Sequence, residues 1–151
     1  MQVDIYSREA IEQLLEDKFP DNVAVISFYD PPSIRTGEVF QPVNYANKAK
    51  CVFTIPLHDI DIEILEDYCL DFNSYFPEVN KLAAFIHKAV DESMNFICQC
   101  EYGQSRSAAC AAAILEFYEK RGISIFADYR YYPNQLVFNK VKKALEKEYE
   151  I

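Results

Sequence analysis

The 151-residue chain is half hydrophobic, rich in Tyr and Phe, and carries a formal net charge of −9. That composition excludes a disordered chain, and the acidic balance argues against nucleic acid and an anionic membrane as partners. The cysteines are odd in number and lack framework spacing, and Met1-Gln2-Val3-Asp4 does not open a basic-then-apolar leader; together they predict reduced thiols in a cytoplasm.

The length suits a single domain over 1–151, expected to be a monomer. Uncharged runs such as Ser107 to Leu115 are too short to span a bilayer. Ser7 is placed to N-cap a helix from Arg8 to about Lys18, with Glu9 near its positive end and Ile11, Leu14 and Leu15 on one apolar face. Phe19-Pro20-Asp21 ends that helix, and the apolar run from Val23 to Phe28 reads as a strand buried on both faces. Asp30-Pro31-Pro32 stops the strand. Residues 30–49 read as a long surface loop with room for a short strand at Val39-Phe40. This loop is either a plain connector or a rim over a site, with Arg35 as a phosphate contact.

Cys51 to Leu57 is a second central strand that runs into His58-Asp59-Ile60-Asp61. Ile62 to Cys69 reads as helical and acidic. Pro77 can open a further helix, in which Val79, Leu82, Ile86 and Val90 recur at helical spacing. Asn95 to Cys100 is the third strand, and a helix from Arg106 is expected to end near Lys120-Arg121-Gly122. Ile123 to Tyr132 is a connector whose Tyr129, Tyr131 and Tyr132 are expected to pack the last helix rather than stack on a ligand. That helix runs from about Pro133 to Glu148, with Leu136, Val137, Val141 and Leu145 inward. Alternating strands and helices predict an α/β fold, a central mostly parallel sheet flanked by helices, with ligands at the carboxyl ends of the strands.

The chemistry concentrates in Cys98-Gln99-Cys100-Glu101-Tyr102-Gly103-Gln104-Ser105-Arg106-Ser107, between the third strand and an alanine-rich helix. A short loop closing onto a helix N-terminus turns successive N–H groups inward and adds the helix dipole, which makes an anion site. Gly103 permits the sharp turn, and Arg106 can hold two oxygens of a phosphate with its planar fork. The same field favours a nucleophilic thiolate at Cys100, to which Ser107 can donate a hydrogen bond. The N–H groups of Glu101, Tyr102, Gly103, Gln104 and Ser105 would line the pocket while their side chains form its rim. Cys98 and Cys110 read as buried structural thiols, since neither has an arginine six residues later. No metal and no cofactor are predicted. The two histidines are His58 and His87, Cys98-x-Cys100 lacks a second ligand pair, and no Walker or dinucleotide fingerprint is present.

Cys100-x-x-Gly103-x-x-Arg106-Ser107 resembles the phosphate-binding loop of the cysteine-dependent protein tyrosine phosphatases, the small dual-specificity branch above all. Arg130-Tyr131-Tyr132-Pro133-Asn134, followed by Val137-Phe138, is similar to the segment that opens the last helix in that branch. The resemblance covers roughly residues 50 to 145. It implies a phosphatase acting on phosphotyrosine, with phosphoserine or phosphothreonine as further substrates, through a phosphocysteine, with a phosphorylated protein as partner. It implies a general acid just after the strand preceding the nucleophile strand. Asp59 fits that place best, Asp61 is the alternative, and Asp67 and Asp71 lie further on. Where the family has a histidine before the nucleophile, this chain has Gln99, which hydrogen-bonds but carries no charge. Two other readings follow from these departures: a phosphate-loop binding module without turnover, and a phosphatase of a small molecule, lipid head group or RNA end.

Overall fold

The carboxyl ends of four strands meet along one edge of a sheet, and the chain's chemistry lies on that edge. The computed structural model describes residues 1–149, so the last two residues of the expected 1–151 domain lie outside the described residues. Strands β1 (Val3–Tyr6), β2 (Val23–Tyr29), β3 (Cys51–Pro56) and β4 (Asn95–Gln99) form one sheet in the order β1-β4-β2-β3. Every pairing is parallel, so the sheet is wholly rather than mostly parallel. β1 was not among the predicted elements. It is a four-residue edge strand with an alternating pattern and half-buried residues, too short to stand out from the chain around it.

Helix α1 (Arg8–Glu16) starts as its sequence dictates, with the Ser7 side chain accepting from the Ala10 N–H; it ends two residues earlier than predicted. α2 (Val79–Asp91) buries Val79, Leu82 and Ile86. Pro77 lies in the turn before it rather than in its first turn. α3 (Arg106–Glu119) is enclosed from Arg106 through Leu115. Its alanines let it approach both the sheet and α5 (Gln135–Tyr149) closely. α3 does not use Gly122 as its left-handed terminus. Lys120 takes that conformation, with φ of 56°, and its N–H caps Glu116 and Leu115. Gly122 is required by packing instead, since a Cβ there would lie 2.7 Å from the Ala112 carbonyl oxygen.

The acidic segment after β3 forms a 3-10 helix, Ile62–Tyr68. The tyrosine-rich connector holds a one-turn helix, α4 (Ile123–Phe126). Tyr129 and Tyr132 are 89% and 73% exposed, so they do not pack the last helix as expected; Leu136, Val137, Val141 and Leu145 do. Residues 39–40 form no strand, and the 30–49 segment is an irregular connection between β2 and β3. One face of the sheet carries the larger core under α2, α3 and α5. The other carries Ile11 and Leu15 of α1 together with Val43 and Tyr45 from that irregular connection. Among the described residues no helix is long and apolar enough to cross a membrane.

Candidate active site

β4 delivers Cys100 to the sheet edge and α3 begins at Arg106, so residues 100–106 bridge a strand end and a helix N-terminus. The loop is held by its neighbours on both sides. The Cys100 N–H donates to the Tyr6 carbonyl, and the Arg8 N–H donates to the Glu101 carbonyl. On the far side, Tyr132 N–H bonds the Gln104 carbonyl, and Asn134 N–H bonds the Ser105 carbonyl. Among the described residues the N–H groups of residues 101–105 donate to none. The carbonyls of Glu101, Gln104 and Ser105 are thus engaged by the scaffold, and the loop's donors are left for an anion.

Gly103 makes this geometry accessible. Its φ is +65°, and a Cβ there would sit 2.6 Å from the Ser7 nitrogen. Only glycine lets the loop lie against the junction of β1 and α1.

Cys100 is 2% exposed, with its Sγ 3.0 Å from the Ser107 Oγ. Arg106 is 4% exposed. Its Nη1 donates to Asp30 Oδ1 at 2.8 Å and to the Leu57 carbonyl at 2.7 Å, which uses both hydrogens of that nitrogen. Its Nε is buried and, among the described residues, has no partner. The guanidinium is therefore fixed through one nitrogen, and its Nε edge is left for a tetrahedral anion.

Asp59 stands across the loop. Its Oδ1 accepts from Ser105 Oγ at 2.7 Å and from Asn134 Nδ2 at 2.9 Å. Asn134 also donates to the Ile60 carbonyl, and its own Oδ1 caps α5 through the Val137 N–H. Asp61 is occupied otherwise. It N-caps the 3-10 helix by accepting from Ile62 N–H at 2.8 Å. Among the described residues the loop thus hydrogen-bonds to Asp59, and not to Asp61.

The site has a brace that sequence reasoning did not assemble. Gln99, 1% exposed, accepts at Oε1 from Ser27 Oγ at 2.5 Å and from Tyr45 OH at 3.1 Å. Ser27 faces Gln99 because β2 and β4 pair in that register. Burial raises the Tyr45 phenol to about 12, so it remains a neutral donor. His58 packs on Tyr68. Burial lowers its pKa below 6.5 against the opposing pull of Asp30, and Arg106 lowers it further. The Tyr75 hydroxyl donates to the His58 carbonyl at 2.5 Å and is pushed well up by burial.

Asp30, Ser27 and Tyr45, which bond to Arg106 and Gln99, were not among the candidate residues, and Asn134 was marked only as part of the segment that opens the last helix. Asp30 had one usable signal: it directly follows a strand at the sheet's carboxyl edge, as Asp59 follows another at a distance of three residues. Arg35 is exposed and lines a cleft of about 760 Å³ beside the loop; among the described residues its side chain forms no ion pair or hydrogen bond with the loop. Among the described residues no group of three or more His, Cys, Asp or Glu is placed to hold a metal ion.

No protein-family model matches the sequence, and no curated protein matches it either. Solved structures do match. Human DUSP28 aligns with a TM-score of 0.53 at 14% identity, covering 98% of this chain and 94% of that one. PTPMT1 in complex with PI(5)P aligns with a TM-score of 0.53 at 14% identity, covering 99% and 93%. The fold is that of the small dual-specificity phosphatases. The likeness includes β1, α1 and β2, and so extends well beyond the segment from residue 50 to 145 that the motifs marked.

Proposed function

We propose that the protein hydrolyses phosphate monoesters through a phosphocysteine at Cys100. One arrangement carries the reading: a buried cysteine beside Ser107, under loop amides and a fixed arginine Nε that, among the described residues, have no acceptor. The Cys100 thiolate attacks phosphorus, the P–O bond to the leaving group breaks, and the departing oxygen takes a proton from Asp59. Oδ1 of Asp59 already accepts two hydrogen bonds, which leaves Oδ2 to carry that proton. Water then attacks the phosphocysteine and gives its proton back to Asp59, and inorganic phosphate leaves. Arg106 and the amides of Glu101, Tyr102, Gly103, Gln104 and Ser105 stabilise charge on the equatorial oxygens in both steps. Ser107 Oγ–H donates to the sulfur as it departs.

A phosphorylated protein is the substrate class we favour. The likeness to PTPMT1 with PI(5)P makes a phosphoinositide the rival to be tested.

The test is hydrolysis of an aryl phosphate between about pH 5 and 8, wild type beside Cys100→Ser. Turnover lost in the variant supports the cysteine mechanism. A wild type without turnover, whose melting temperature vanadate nonetheless raises, reduces the protein to a phosphate-binding module.

A further inference from the structure

We propose that the cleft beside the phosphate loop selects phosphopeptides in which an apolar and a basic side chain flank the phosphorylated residue. The inference rests on the phosphatase reading above and adds a substrate class to it. The cleft starts at the loop, since Asp30 and Asp59 line it and bond to Arg106 and Ser105. Beyond them its lining includes Ile34 and Phe40 from the 30–49 connection and Ile64 from the 3-10 helix, which are 65%, 36% and 39% exposed. Single exposed apolar residues are ordinary on a protein surface. Three of them lining one cleft next to the candidate anion loop form a surface fit for an apolar side chain.

Charge supplies a second, independent observation. Asp67 lines the same cleft and, among the described residues, forms no ion pair. Asp30 and Asp59 differ, being engaged by Arg106 and by Ser105 with Asn134. On the grooves at the other sides of the loop, Glu63 and Glu101 are exposed and unpaired among the described residues. Arg8 there is paired with Glu12, which leaves Arg35, among the described residues lining these grooves, as the cation set against these carboxylates. A rim of this sign repels a polyanion, an inositol phosphate head group included. It attracts a cation carried next to the phosphate, and Asp67 is the carboxylate best placed to meet one.

The experiment uses three phosphotyrosine peptides that differ only at the flanking positions, carrying Leu and Lys, Leu and Glu, or Ser and Lys. A short-chain phosphatidylinositol monophosphate is the fourth substrate, and an aryl phosphate without flanks is the common reference. We expect kcat/KM for the Leu–Lys peptide to exceed that for the Leu–Glu peptide by about tenfold at low ionic strength, with the ratio shrinking as salt is added. Asp67→Lys should collapse or invert that ratio, and Ile64→Ser should remove the advantage of Leu over Ser, each variant being referred to its own aryl phosphate rate. Equal rates for the Lys and Glu peptides overturn the proposal, as does a phosphoinositide hydrolysed faster than every peptide. If wild type does not turn over the aryl phosphate, the phosphatase reading is the one that fails. The same ordering is then read in Kd for the peptides, where equal affinities overturn the proposal and a Leu–Lys preference upholds it.

Discussion

One wall of the site comes from a contiguous segment, residues 99–107, while the facing wall comes from two other strand ends, Asp30 after β2 and Asp59 after β3. The base of the loop wall is buried, with Cys100, Arg106 and Ser107 2%, 4% and 0% exposed, while the Glu101, Tyr102 and Gln104 side chains stand out from its rim. The facing wall is open, with the Asp30 side chain 39% exposed and Asp59 at the surface. A buried wall built from consecutive residues is over-determined by its backbone. An exposed wall assembled from separate elements depends on a few side-chain bonds such as those from Asn134 and Ser105. Substitutions in the first should therefore damage chemistry and fold together, and substitutions in the second should separate them.

Arg106→Lys tests the buried wall hardest. A lysine can neither span Asp30 and Leu57 nor offer an Nε edge, so kcat/KM should fall by about a thousandfold and stability by about 2 kcal/mol. Full activity in steady-state assays would break the comparison. Next comes the open wall. Asp59→Asn should lower kcat by about a hundredfold for a poor leaving group, and far less for an activated aryl ester, while the melting temperature moves little. Asp61→Asn is the partner measurement; with the cap weakened but the acid intact, it should cost under about 1 kcal/mol of stability and leave kcat as it was.

Gly103→Ala returns to the buried wall. The left-handed backbone and the close Ser7 nitrogen should cost about 2 to 3 kcal/mol in urea unfolding, with the phosphate affinity falling alongside. The smallest effect belongs to His58. Its folded pKa lies below its unfolded value because of burial, so the unfolded chain binds the proton first as pH drops. Stability should thus decline as pH falls below about 6.5, and His58→Gln should flatten that decline in urea midpoints taken between about pH 5 and 7.5. An unchanged slope would remove His58 from the account.

Both walls bear on how much the sequence disclosed. The loop wall was legible because its chemistry is local: a cysteine, glycine and arginine at fixed spacing between an apolar run and an alanine-rich helix need no distant partner to be recognised. Asp59 was legible by its position just after a strand, yet Asp61 met the same criterion. What separates them is Asn134, which is 75 residues from Asp59 along the chain and reaches it only once α5 has docked. Asp30 looked like punctuation at a strand end. Of the Ser27–Gln99–Tyr45 brace only Gln99 was marked, by its place before the cysteine; its partners had no signature, since they need the β2–β4 register and a tyrosine from an irregular connection.

The sequence by itself determined the alternation of strands and helices, and with it an α/β sheet with its ligand edge at the carboxyl ends. It also determined the strand–loop–helix that carries the candidate anion loop, because hydrophobic periodicity and short-range backbone geometry act within a few residues. The tertiary structure alone decided that all four strands run parallel, that Lys120 rather than Gly122 ends α3, and that Asp59 rather than Asp61 faces the loop. Those outcomes depend on contacts between residues far apart in sequence, where burial and hydrogen-bond satisfaction outweigh local preference.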